Sequence, residues 1–190
     1  MQFPLVPFYF IRHGETNWNR QDKIMGRTDI PLNTVGIQQA KSAQQMMHRL
    51  PIDKIVSSPL LRASQTAKIL NEELNLPIEL KAEFMERCWG EMEGTPFQAT
   101  FLSKRNDEEI PTGAESFSEF QQRVSKGLNE VLSSSSSKLI VAHGGVFMVI
   151  ISLLRIPDVR AENCIPYFFQ PPIGLASSWS ICEFESRMNC

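Results

Sequence analysis

The stretch Val6-Pro7-Phe8-Tyr9-Phe10-Ile11-Arg12-His13-Gly14-Glu15-Thr16 decides how the chain is read. Its first six residues are rich in Phe and Tyr and predict a strand over 6–11. Charged and small residues follow at once. A second short apolar run, 138–142, is followed in the same way by His143-Gly144-Gly145. Two of the three histidines therefore stand at strand ends, each directly before a glycine. The third, His48, is expected on a helix and in solvent. In open α/β sheets ligands bind at the carboxyl ends of the strands, so these two places come first in a search for chemistry.

Outward from them, apolar runs alternate with helical patterns. A helix is predicted over 32–50 and a short buried strand over 54–57. Ser58 reads as an N-cap and Pro59 as the first residue of a helix reaching about residue 74. A strand follows at 77–80. Ser116 with Glu119 makes a capping box for a helix to about residue 132. The run 146–155 is apolar enough for a buried helix, and 178–184 reads as a last strand. The alternation predicts an α/β three-layer sandwich, with a mostly parallel central sheet flanked by helices. With 190 residues, one domain over 1–190 is expected. The segment from about 90 to 115 has no clear period and reads as a lid-like insertion. Ser133–Ser137 reads as a surface loop.

Nineteen basic against twenty-one acidic side chains give a net charge of −2. That weakens a reading built on global attraction to nucleic acid or an anionic membrane, and leaves room for a local basic pocket. The longest apolar run, 146–154, is far short of the ~20 residues a membrane span needs. Residues 3–11 lack the basic flank and cleavage site of a signal peptide. Cys88, Cys164, Cys182 and Cys190 form no C-x-x-C pair, and reduced thiols in a cytoplasmic protein are expected.

Glycine after a strand lets the chain turn sharply and lets a ligand approach. Gly144 and Gly145 also precede a helix, whose free N–H groups favour an anion. Arg62 falls in the first turn of the helix after Ser58-Pro59, where the macrodipole disfavours a cation unless an anion faces it. Taken alone, such an arginine is more often solvated. Arg12, Arg62, His13 and His143 together would make a compact cationic site suited to phosphate. No H-E-x-x-H, Cys/His cluster or D-x-D-x-D loop is present, so no metal is expected.

Arg12-His13-Gly14-Glu15-Thr16 with Asn19 resembles the signature of the histidine phosphatase superfamily, phosphoglycerate-mutase-like branch. The likeness continues through Gly26-Arg27-Thr28-Asp29-Ile30-Pro31-Leu32-Asn33 with Gly36, through Ser57-Ser58-Pro59-Leu60-Leu61-Arg62-Ala63 to Ala67, and through Glu86-Arg87-Cys88-Trp89-Gly90 to Gly94. It closes with Gly113-Ala114-Glu115-Ser116 and Val141-Ala142-His143-Gly144-Gly145. The resemblance implies that His13 is the nucleophile that becomes phosphohistidine. It implies that Arg12, Arg62 and His143 clamp the phosphate with the backbone at Gly144, that Asn19 adds a contact, and that Glu86 is the proton donor. The residues alone do not choose Glu86 over Glu91, Glu93 or Glu15. In such a scheme His13 attacks as a neutral imidazole with its other nitrogen held by a hydrogen bond. A protonated His143 would join the arginines in stabilising the transferring group. No metal and no cofactor are implied.

Both phosphatases and mutases share that first step. The short chain, the absence of a long basic enclosing segment, and Cys88-Trp89 where mutases carry His-Tyr all lean toward a phosphatase. The resemblance is greatest to broad-specificity and α-ribazole phosphatases. The expected partner is a small phosphorylated metabolite, with neither nucleic acid nor membrane. Two alternatives stand beside this: a bisphosphate-primed mutase, and a non-catalytic phosphate-binding module. Substrate choice is expected to lie in the insertion and in 163–174, where Tyr167, Phe168 and Phe169 would either wall the pocket or pack into the core. Lys104 and Arg105, followed by Asp107, Glu108 and Glu109, read as a solvated charge run. The sequence carries no sign of oligomeric state.

Overall fold

A computed structural model describes residues 3–97, 110–173 and 178–184. In chain order the elements are β1 (Phe8–Arg12), α1 (Asn17–Arg20), α2 (Thr34–Met47), β2 (Lys54–Ser57), α3 (Leu61–Asn71) and β3 (Ile78–Leu80). After two one-turn 3-10 helices, Ala82–Phe84 and Gly90–Met92, come α4 (Phe117–Leu132), β4 (Lys138–Ala142), α5 (Gly144–Leu153), β5 (Pro166–Gln170) and β6 (Ser180–Glu183).

The six strands form one sheet in the order β3-β2-β4-β1-β5-β6. The pairs β3·β2, β2·β4 and β4·β1 are parallel, while β5 runs antiparallel to both β1 and β6. All five residues of β4 are buried, as a strand covered on both faces requires. Along β1 the side chains alternate between two cores. Phe8 and Phe10 pack with Val124 and Leu128 of α4 and Phe147 and Ile150 of α5. Tyr9 and Ile11 pack with Ala40, Ala43 and Met47 of α2 and Ala63, Ala67 and Leu70 of α3. Period two in the strand thus places one pair of helices on each face. The α/β three-layer arrangement is the predicted one.

Three local readings need correcting. The segment 166–170 is a buried strand, not a loop or pocket wall. Pro166 opens it, where a missing N–H is tolerated, and Tyr167, Phe168 and Phe169 all pack into the core. The helix expected from Pro59 begins at Leu61, and its N-cap, Leu60, makes no side-chain cap. The Leu61 N–H is instead accepted by Asp29 Oδ1 at 2.6 Å, from a segment 32 positions away. The short α1 has no counterpart in the sequence reading; Thr16 and Asn19 build its capping box. The Ser116–Glu119 box is present as expected. His48 caps the end of α2, exposed, with Nε2 2.8 Å from Glu73. Among the described residues no helix is long and apolar enough to cross a membrane.

At the base of the predicted insertion, Trp89 pairs with Ala114 and the Glu91 N–H bonds Thr112 O at 3.1 Å. Lys104, Arg105, Asp107, Glu108 and Glu109 lie outside the described residues.

Candidate active site

Strands β1 and β4 are parallel neighbours, and Arg12 pairs in register with Ala142. The next residue of each strand is a histidine, so the two imidazoles emerge at the same height. Their ring centroids are 5.2 Å apart. The chain leaves β1 toward β2 on one side and leaves β4 toward β5 on the other. The two histidines therefore stand where the strand order reverses, the usual binding crevice of an open α/β sheet.

His13 is almost fully buried, and its Nδ1 lies 2.7 Å from Gly14 O. A carbonyl can only accept, so Nδ1 carries the proton and Nε2 keeps its lone pair. Burial holds the His13 pKa well below the usual 6.5, and the charges of Arg62 and Arg12 lower it further; the bond to Gly14 works the other way without reversing this. Gly14 N–H in turn bonds Thr66 Oγ1 of α3 at 3.1 Å.

Arg62 is wholly buried, not solvated. Its Nη1 donates to Thr28 O at 3.0 Å and its Nη2 to Gly26 O at 2.7 Å. Burial draws its pKa down to about 10, which leaves it charged. The turn that supplies those carbonyls is itself held by Glu93, which accepts the N–H groups of Arg27 and Thr28 at 2.9 and 2.8 Å. Burial would raise the Glu93 pKa, but the hydrogen bonds from Thr28, Trp89 and Arg27 outweigh it and the net shift is downward. Gly26 has φ +52°, and a Cβ there would lie 2.0 Å from Glu93 Oε1, so this turn needs glycine twice over. Arg12 Nη1 donates to Ala161 O at 3.2 Å.

His143 Nε2 lies 2.8 Å from Ser58 Oγ. Ser58 Oγ also accepts the Leu60 N–H, and its own proton can be given to Nε2, an arrangement that puts the His143 proton on Nδ1. Burial, then above all the charge of Arg62 with that of Arg12, holds the His143 pKa well below 6.5. In this setting a neutral ring is favoured for His143, and a protonated one would need an anion beside it. Ser58, read from the sequence as a helix cap, serves this histidine instead.

Glu86 accepts the Gly145 N–H at 2.9 Å through Oε2 and the Arg87 N–H at 2.9 Å through Oε1. A Cβ on Gly145 would lie 2.1 Å from Glu86 Oε1, so the glycine is what lets this carboxylate reach the start of α5. Asn19 spends Oδ1 on the Thr16 cap. One cavity of about 730 Å³ brings together Arg12, His13, Asn19, Arg62, Glu86 and Gly144. Apolar side chains, among them Trp18, Met25, Trp89, Phe97, Phe117 and Met148, line it together with the charged Asp22, Lys23, Arg87, Asp158 and Arg160. Residues 163–173 do not line it. Arg12 Nε, Arg62 Nε and His143 Nδ1 are buried and have no hydrogen-bond partner. Leaving such donors unmet costs about 1–3 kcal/mol each, and an anion beside His13 would meet all three charges and dipoles. No group of three or more His, Cys, Asp or Glu that could hold a metal ion occurs among the described residues.

Sequence reasoning alone did not find Ser58 or Glu93 as supports of the site. Each acts through another side chain or a backbone carbonyl, and no local pattern marks that.

The model of the histidine phosphatase superfamily (branch 1) matches residues 8–165. A Bacillus subtilis (strain 168) protein named "Uncharacterized phosphatase PhoE" is 41% identical over 155 residues, covering 80% of this chain and 79% of that protein. A Yersinia pestis (strain Pestoides F) protein named "Probable phosphoglycerate mutase GpmB" is 31% identical over 199 aligned positions, covering 93% and 91%. The solved structure of the alpha-ribazole phosphatase from Shigella flexneri has the same fold, with TM-score 0.80, 24% identity, and coverage of 96% and 97%.

Proposed function

The chain belongs to the histidine phosphatase superfamily, branch 1, and is an enzyme of that type; we propose that it hydrolyses a small phosphomonoester through a phosphohistidine on His13, with no metal ion. The observation that carries this is the 2.7 Å contact between His13 Nδ1 and Gly14 O, in a setting that keeps the ring neutral. It leaves Nε2 as a nucleophile beside two arginines.

In the first step the Nε2 lone pair attacks phosphorus and the ester P–O bond breaks. Arg12, Arg62, the His143 Nδ1–H and the Gly144 N–H take up the charge on the equatorial oxygens, with Asn19 as a further donor. Glu86 gives its proton to the departing alkoxide. In the second step water attacks phosphorus, the P–N bond breaks, and Glu86 takes a proton from that water. His13 leaves as the neutral imidazole that began the cycle. The cavity, which mixes aromatic and charged side chains, has a volume within the range that ligand pockets span and supports a small ester.

The test is phosphate release, with EDTA present, from para-nitrophenyl phosphate, 3-phosphoglycerate and α-ribazole phosphate. Wild-type release that is lost in His13→Ala supports the reading. A mutase reading draws on the Yersinia relative's printed name. Interconversion of 2- and 3-phosphoglycerate with a bisphosphate primer, without phosphate release, would replace the phosphatase reading by it. Retained phosphate binding with no phosphohistidine and no turnover on any ester would favour a binding module.

A further inference from the structure

Glu115 sits immediately before the Ser116 cap of α4, and its side chain is only 12% exposed. Arg123, one helix face further on, grips its carboxylate with both prongs, Nε to Oε1 at 2.8 Å and Nη2 to Oε2 at 2.7 Å. Arg27, from the turn after α1, reaches Oε1 at 3.1 Å. Both arginines then converge on one atom. Arg123 Nη2 donates to Glu86 O at 3.3 Å and Arg27 Nε donates to the same oxygen at 3.4 Å.

The segment around Glu86 is tied to the same anchor on both sides. Arg123 Nη1 donates to Glu83 O and Met85 O, each at 2.9 Å. Arg87 Nε donates to Glu115 O at 2.9 Å, and the Glu115 N–H bonds Cys88 O at 3.0 Å. The Glu86 carboxylate itself takes no part in this cage. Among the described residues its hydrogen bonds come from two backbone N–H groups, those of Arg87 and Gly145. The main chain of Glu86 is thus clamped by ion pairs while its carboxyl group stays available for proton exchange. Two guanidinium groups meeting at one carbonyl repel each other, and one carboxylate between them removes the repulsion.

We propose that Glu115 is a positioning residue that, through Arg27 and Arg123, fixes the Glu86 carboxyl group for proton transfer to the leaving group. This rests on the acid–base role proposed above for Glu86. Loss of the clamp therefore harms esters in proportion to how much their leaving group needs a proton. An alkoxide needs one; para-nitrophenolate does not.

The test compares kcat/KM, which reports phosphoryl transfer to His13, for an alkyl phosphate and for para-nitrophenyl phosphate. Well-placed acid–base groups contribute roughly 10²–10⁴-fold, so Glu115→Gln is expected to lose on the order of tenfold or more on the alkyl ester and at most about twofold on the aryl ester. In the Glu86→Gln background the same substitution should add little to that ratio. Equal losses on both esters, no loss on either, or full additivity with Glu86→Gln would overturn the proposal. If Glu86→Gln itself shows no difference between the esters, the acid–base reading fails and this proposal falls with it. If Glu86→Gln discriminates and Glu115→Gln does not, only this proposal falls. Should Glu115→Gln not fold, as judged by circular dichroism, Arg27→Gln carries the same test, because that side chain is 35% exposed and removes one of the two grips on Glu86 O. A loss confined to the alkyl ester supports the clamp, and any other pattern overturns it.

Discussion

His13 illustrates how far a single residue's chemistry is set by its surroundings. Free imidazole is half protonated near pH 6.5, and a protonated ring has no lone pair to offer. Burial and two neighbouring guanidinium groups push the pKa down, and the Gly14 carbonyl selects which nitrogen keeps the proton. The ring nitrogens of His13 should therefore keep neutral NMR shifts when the pH is taken to about 6, where half or more of an ordinary histidine is charged. A titration midpoint at or above 6.5 would show that the burial argument is wrong. His13→Asn, similar in size with no nucleophilic nitrogen, should form no phosphoenzyme and lose activity on the order of 10³-fold or more. Acid-quench trapping of the phosphorylated chain checks both parts.

At the scale of elements, the parts that local pattern controls were legible and the parts that distant partners control were not. The Ser116–Glu119 box is a four-residue device, readable anywhere, and it stands where it was expected. Ser116→Ala should lower stability by about 1 kcal/mol, seen as a few degrees in Tm. The ends of β1 and β4 were legible because a strand followed by His-Gly is itself a local pattern. By contrast, Ser58-Pro59 carries a helix-start signal, yet α3 starts later because Asp29 supplies the missing acceptor from afar. Strand β5 was missed because it is apolar on both faces, so it shows no alternation, and prolines stand at both of its ends. The contact of α2 with the loop after β1 was equally hidden. A Cβ on Gly36 would lie 2.1 Å from Glu15 O, backbone against backbone. Gly36→Ala should therefore destabilise the fold by at least the 1–3 kcal/mol usual for overpacking, whereas Gly145→Ala, which meets only the end of the Glu86 side chain, should spare Tm and reduce turnover.

For the whole molecule, the two buried histidines link stability to pH. Their folded pKa values lie below 6.5, so as pH falls through that value the unfolded chain takes up protons that the folded chain refuses. Their contribution is complete above 6.5 and is lost as pH falls toward the folded values. Tm should drop between about pH 7.5 and 5.5, and by less in the double variant His13→Asn, His143→Asn. Inorganic phosphate should raise Tm, by an amount corresponding to about 2.7 kcal/mol at a hundredfold excess over its Kd. The His13 loop is also held from the far end of the chain. Asn163 Nδ2 donates to His13 O at 2.6 Å, Arg12 Nη1 to Ala161 O, and the Cys164 N–H to Arg12 O. These contacts give the molecule a timetable. On the ribosome, His13 emerges 150 residues before Asn163, one of its supports. A nascent chain should therefore gain affinity for phosphate only after β5 is available to pair with β1. A chain stopped after Glu162 holds every residue of the motif, yet phosphate should not shift its melting.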